Sequence, residues 1–332
     1  MDNLTHTAIG LYLSRIGLGR WSPHGTAIVL LAANIPDIDV VSAAGGPLNY
    51  LAYHRHLTHS LLLLPVMAWA AVVVVRLVGR KPVRWTWAFF AAVLGVASHL
   101  ALDWTNVYGI RLLLPFSSRW LRADTTGVVD LWIWAVLALG IAAPFLARLV
   151  GSEIGSSTAR ERHHGRGFAW FALLAVLLYD CARGVLHARA VASLASRLYD
   201  GAVPERIAAM PDPLNPLKWR GIVETQGSYV IQDLNLAMDP VSGRGAIFHK
   251  PDSEPAIDAA RLSPAFQGFL RFSQYPVWRV TPYPALENGK LVEASDLRFG
   301  TPLAPGFVAR AVLDSRMRVV ESSFHFGAAR PR

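Results

Sequence analysis

Histidine and aspartate gather in a few short pieces of this chain, each at the edge of an apolar run. Asp2 and His6 open the first run. Asn34-Ile-Pro-Asp37-Ile-Asp39 closes the second. His54-Arg55-His56-Leu-Thr-His59-Ser60 leads into the third, and His99-Leu-Ala-Leu-Asp103, with Asn106 just beyond, ends the fourth. Imidazole and carboxylate without thiol form a donor set for Zn²⁺, Mn²⁺ or Fe²⁺, with Zn²⁺ the first choice. His99 and Asp103 are four apart and share a helix face. The candidate ligands His6, Asp37, Asp39, His54, His59, His99 and Asp103 are too many for one tetrahedral ion and enough for two neighbouring ions. Two divalent ions suit hydrolysis of a phosphoester or an amide by an activated water. In that chemistry Asp37 or Asp39 is the general base or a bridging ligand.

Each piece also has a quieter explanation. A helix-end pair accounts for His99 with Asp103, and a turn after Pro36 for Asp37 and Asp39. Thr5, Thr58 and Ser60 are natural helix caps, and Asp130 sits where a helix dipole favours a carboxylate. The concurrence of the pieces favours ligation, with His59 ahead of His54. Asn34, His56, Asn106 and Asp130 are then expected to orient ligands or touch substrate. Arg55 can hold a phosphate through paired hydrogen bonds. Arg111 and Arg119 suit lipid headgroups.

The elements that must position these groups are apolar. The chain has 332 residues, 53% hydrophobic and only 17% charged, against roughly 25% charged in an average soluble domain. Runs at 60–77, 85–102, 128–149 and 167–186 each approach the ~20 residues of a membrane helix. Shorter stretches at 7–18 and 26–35 predict a helical hairpin packed on them. That topology returns His6, Asp37, His59, His99 and Asp103 to one membrane face. Arg76, Arg80, Lys81 and Arg84 join the first two long runs; Arg148, Arg160, Arg162, His163, His164 and Arg166 join the last two. The positive-inside rule makes both loops cytoplasmic and the site periplasmic.

Past residue 199 the chain is rich in Pro and Gly, with short alternating stretches at 227–234, 278–282, 308–313 and 319–326 that predict a small antiparallel β domain. The expected division is a membrane domain at 1–195 and a soluble β domain at 196–332. The lone Cys181 excludes a disulfide framework. The net charge of +9 suits anionic lipid, and no nucleic-acid motif is present.

The ordered set Asp2-Asn-Leu-Thr-His6-Thr, Asn34 to Asp39, His54 to Ser60 and His99 to Asn106 resembles the bacterial membrane-bound metal-dependent hydrolases, some of which are LexA-regulated. The resemblance covers roughly residues 1–135. It implies an integral inner-membrane hydrolase with bound metal. The His99–Asp103 pair is also distantly similar to zinc-dependent phospholipase C. The function expected is metal-dependent hydrolysis of an amphipathic substrate, a lipid phosphoester first, at the outer membrane face. A lipid amidase or acyl hydrolase using the same site is one rival. A non-enzymatic metal transporter, or a scaffold whose β domain binds a protein partner, is the other.

Overall fold

The computed structural model describes residues 1–153, 161–238, 245–301 and 303–327. Arg160 of the expected cytoplasmic linker lies outside these residues, as do the side chains of Arg148, Arg162, His163 and His164. Contacts group the chain into two compact units. The first comprises Met1–Ile38, Arg55–Ala188 and Pro211–Lys218, the second Asp39–His54, Arg189–Met210 and Trp219–Arg332. Two segments thus cross the boundary expected at residue 195.

The first unit is helical. Helix α1 (Asn3–Ile16) is capped by Asp2, not Thr5: the Asp2 carboxylate accepts from the Leu4 and Thr5 amides. After a 3-10 turn, Leu18–Arg20, the short α2 (Gly25–Ala32) completes the expected hairpin. The chain then passes through a 3-10 segment, Ile35–Gly45, and α3 (Pro47–Tyr53), which from Asp39 on belong to the second unit, and returns in a 3-10 turn at Leu57–His59. Helix α4 (Leu64–Val78) starts later than the apolar run at residue 60. The Ser60 hydroxyl accepts from the Leu63 amide in a turn, and Pro65 sits in the first helical turn, where its missing N–H costs nothing. Helices α5 (Trp85–Thr105), α6 (Leu131–Glu153) and α7 (Glu161–Ala195) complete the unit.

Small residues draw α1, α2 and α5 together. A methyl added to Gly95 would lie 2.8 Å from Ala32 Cβ, and one added to Gly10 would lie 2.9 Å from Ala33 Cβ. Such close backbone approach is how helices associate where lipid removes the hydrophobic incentive. Ile28, Ala32, Ala68, Val72, Ala92 and Val96 fill the seam between α2, α4 and α5. Meanwhile Trp69, Phe90, Leu139, Leu174 and Leu178 are exposed, as helices in hydrocarbon require. Trp85–Thr105 and Gly165–Ala195 are each long and apolar enough to cross a membrane, and two bent helix pairs pass the same test together. The apolar part of α6, Leu131–Ala147, is shorter.

The second unit holds two four-stranded sheets. Strands β1 (Arg206–Pro211), β2 (Lys218–Glu224), β3 (Ser228–Asn235) and β4 (Ala246–His249) form one in that order. Helices α8 (Pro255–Arg261) and α9 (Pro264–Phe272) follow. Then come β5 (Pro276–Tyr283), β6 (Gly289–Asp296), the short pair β7 (Gly300–Thr301) and β8 (Ala304–Pro305), β9 (Phe307–Leu313) and β10 (Val319–Phe326). The second sheet is antiparallel in the order β10-β9-β6-β5. The expected strands are present; α8 and α9 were not expected. Ser263 caps α9, and Phe266, Phe269 and Phe272 form its buried face. Asp296 and Arg298 form a fully buried ion pair at 2.8 Å. Helix α3 packs here too, with Tyr50 edge-on to Phe326 at 5.6 Å.

Candidate metal centre

Four donors from three segments converge in the first unit. Asp37 follows Pro36 in the 3-10 segment after α2, His59 ends the Leu57–His59 turn, and His99 and Asp103 lie one turn apart on α5. One ligand atom from each lies within 4.8 Å of every other. The separations are more telling than that limit. His59 Nε2 is 3.1 Å from His99 Nε2, 3.4 Å from Asp37 Oδ1 and 3.4 Å from Asp103 Oδ2. His99 Nε2 is 3.6 Å from Asp37 Oδ1 and 3.5 Å from Asp103 Oδ2. Five of the six separations among these atoms are thus 3.1–3.6 Å, and the sixth, Asp37 to Asp103, is within 4.8 Å. Donors about 3.4 Å apart are spaced for a common ion at about 2.1 Å, the length of a zinc–nitrogen or zinc–oxygen bond.

The protonation pattern agrees. His99 Nδ1 donates to the Ala33 carbonyl at 2.8 Å. In the neutral ring Nε2 then presents a lone pair to the carboxylates and to His59. When His59 Nε2 is also deprotonated, all four are acceptors aimed at one another, which repel unless a cation lies between them. Asp103 Oδ2 also has no hydrogen bond among the described residues. The residues therefore fit a bound divalent ion, and the Ala33 carbonyl supplies the outer hydrogen bond that fixes a ligating imidazole.

The other oxygen of Asp103 faces away from the four-donor group. It takes Arg55 Nη2 at 2.9 Å, Asn106 Nδ2 at 3.2 Å and the Met1 ammonium. His6 Nε2 lies 3.4 Å from the same oxygen, and the His6 ring stacks on His99 at 3.8 Å. Neither nitrogen of His6 has a hydrogen bond among the described residues. Arg55, expected to grip a phosphate, is instead buried behind Asp103. Its Nη1 donates to Asn106 Oδ1 at 3.1 Å and to the Gly109 carbonyl at 3.2 Å. Its φ of +54° is a conformation non-glycine residues seldom adopt. That bend in the chain aims the guanidinium inward.

Asn34 bridges α1 and α2, accepting from Thr7 at 3.1 Å and donating to the Leu30 carbonyl at 2.8 Å. Asp39 and His54 pair at 2.8 Å in the second unit. His56 precedes the Leu57–His59 turn. Asp130 caps α6, accepting from the Trp132 and Ile133 amides, and receives the Tyr179 hydroxyl at 3.2 Å.

That last bond belongs to a polar cluster the sequence reading missed. The Thr125 hydroxyl donates to Asp180 at 2.6 Å, and Arg183 Nε donates to the Thr125 carbonyl at 3.0 Å. Tyr179, Arg183 and His187 recur every fourth residue in an apolar helix. That period was the available signal.

The YdjM inner membrane protein family matches residues 1–190, more than half of the chain. The chain belongs to that family. The YdjM match spans every residue of the four-donor group. Residues 255–328 match the YfhP C-terminal alpha/beta plait domain, from α8 through β10. Uncharacterized protein YfhP of Bacillus subtilis (strain 168) is 29% identical over 147 residues, 40% of this chain and 43% of that protein. The chain thus covers less than half of that relative's length. No solved structure matches. The family and the apolar helices make this an inner-membrane protein with a buried His/Asp group able to hold a metal ion.

Proposed function

We propose that this protein is a metal-dependent hydrolase that cleaves an amphipathic substrate, a lipid phosphoester, at the periplasmic face of the inner membrane. The observation that carries this reading is the four-donor group Asp37, His59, His99 and Asp103, in which only Asp37 has solvent on its side chain, at 11% against zero for the others. A catalytic zinc keeps three protein ligands and one open position; His59, His99 and Asp103 would be the three, with Asp37 beside the position left for water. A divalent ion bound here supplies Lewis acidity and lowers the pKa of water towards about 7.

His59, His99 and Asp103 hold the buried side of the site. Asp37, at the solvent edge, removes the proton from the attacking water. Arg55 and Asn106 keep Asp103 turned towards the ion. Asp39 and His54 are assigned to a second ion by their chemistry and their nearness in sequence to Asp37 and His59.

The test is turnover by the full chain, purified in detergent and loaded with Zn²⁺ or Mn²⁺. Short-chain phosphatidylglycerol is the substrate, and water-soluble phosphoester and fatty acid are assayed separately. Phosphoester release that chelation abolishes and Asp37→Asn removes is expected. Fatty-acid release would establish the acyl-hydrolase rival instead, and absence of turnover in a metal-loaded protein would leave a metal-binding scaffold. An alkaline phosphatase reporter fused after Arg332 is expected to be active; an inactive reporter reverses the orientation.

A further inference from the structure

A loop with no role so far connects Asp103 to the protein surface. It leaves α5 and is pinched at its base by Ile110 and Leu121, which exchange backbone hydrogen bonds at 2.9 and 2.8 Å. The Leu61 amide donates to the Leu112 carbonyl at 2.9 Å, tying the loop beside the His59 turn. The tip carries Phe116, 85% exposed, and Leu113, 44% exposed. Arg119 is exposed beside them. At the other shoulder the Arg111 guanidinium lies over the Trp120 ring at 4.8 Å.

From Trp120 a stack runs inward. Trp120 meets Tyr108 edge-on at 5.8 Å, the Arg55 guanidinium covers Tyr108 at 4.7 Å, and Arg55 reaches Asp103 at 2.9 Å. Three planar groups, Arg55, Tyr108 and Trp120, therefore link a metal-ligand candidate to Arg111 at the rim. An apolar tip flanked by arginines and an interfacial tryptophan has the composition of a segment seated among lipid headgroups. Its charge is complementary to phosphate. Ordinary lipid-facing residues account for an exposed Phe; they do not account for a pinched loop braced against Asp103.

We propose that the 110–121 loop is the lipid-recognition element of this protein, with the phosphate of an anionic phospholipid on Arg111 and Arg119 and its acyl chains against Leu113 and Phe116. The proposal rests on the lipid-hydrolase reading for its purpose, but it is tested by binding alone. The full chain in dodecyl maltoside is titrated calorimetrically with dihexanoyl phosphatidylglycerol, dihexanoyl phosphatidylcholine and glycerol 1-phosphate. The wild type is expected to bind phosphatidylglycerol most tightly. Arg111→Gln and Arg119→Gln should each weaken that binding about fivefold, with the preference shrinking as salt rises. Phe116→Ser should weaken both lipids alike. Metal content should stay at the wild-type level in all three variants.

Arg119 is exposed, so Arg119→Gln keeps the test valid if Arg111→Gln misfolds. Unchanged phosphatidylglycerol affinity in Arg119→Gln overturns the proposal. So does glycerol 1-phosphate binding as tightly as the lipid, which would mark a site for a soluble phosphoester. The two readings fail separately. Lipid binding that responds to these variants without turnover defeats only the hydrolase. Turnover with affinities indifferent to them defeats only the loop.

Discussion

His59 and His99 are 40 residues apart in the chain, yet their Nε2 atoms lie 3.1 Å apart. With a proton on His59 Nε2 that distance is a hydrogen bond to His99; with both Nε2 atoms deprotonated it is the spacing of two ligands on one ion. The Ala33 carbonyl fixes one ring, and Thr58 Oγ1, 3.1 Å from Nδ1, lies beside the other.

Metal content follows directly. The full chain purified in detergent is expected to carry Zn²⁺ or another transition metal by elemental mass spectrometry. His99→Ala/Asp103→Ala should lose it, because one helix supplies two of the four donors. A double variant with undiminished metal would refute the four-donor assignment.

Arg55 bears on affinity through Asp103. Arg55→Met removes the hydrogen bonds to Asp103, Asn106 and Gly109 at nearly constant volume. Loss of such supporting groups typically lowers metal affinity about 10–100-fold, readable by competition with a chromogenic chelator. Arg55→Lys should rescue little, since one ammonium cannot reproduce the planar fork. Full rescue by lysine would mean that charge alone matters there.

Gly95 tests the route from helix packing to ligand orientation. Gly95→Leu puts side-chain atoms where Ala32 Cβ and the Val29 carbonyl already lie. Overpacking of this kind costs about 1–3 kcal/mol. Displacing α2 also shifts the Ala33 carbonyl from His99, so metal affinity and thermal stability should fall together. Stability that falls with metal affinity intact would uncouple the two.

The C-terminal unit should show its own acid sensitivity. Burial alone would raise the Asp296 carboxyl, but the Arg298 guanidinium and the Arg298 and Gln274 amides outweigh it and hold it below the usual range. A depressed carboxyl stabilises fully above its unfolded value of about 4 and loses that contribution as pH falls through the lower folded value. Asp296→Asn removes the counter-charge of the buried Arg298, a loss of about 3–5 kcal/mol near neutral pH. Hydrogen exchange of the β6 and β9 amides should show that gap closing in strong acid. A gap independent of pH would contradict the assignment.

Much of the site was legible because Asp and His are conspicuous beside apolar runs, and the hairpin topology sends their ends to one face. His99 and Asp103 were readable as neighbours from spacing alone. The Arg55–Asp103 pair was not, because it depends on a left-handed backbone at Arg55, and nothing in the local sequence announces it. Tyr179, Arg183 and His187 were overlooked because a strongly apolar helix masks a polar stripe when hydropathy is averaged. In the C-terminal unit the strands were legible from alternation. Helix α9 carried its signs, a Ser263-Pro264 start and Phe every third residue, but a surrounding run of turn residues concealed them.

The acceptor that orients His99 belongs to the main chain of residue 33, so every amino acid carries it. A saturation scan at that position should therefore sort substitutions by bulk alone: serine tolerated, leucine not, because Gly10 leaves room for little more than the Ala33 methyl. Family members can differ in the identity of residue 33 and still orient the ring alike. What inheritance must preserve there is a distance between two helices, which no motif records.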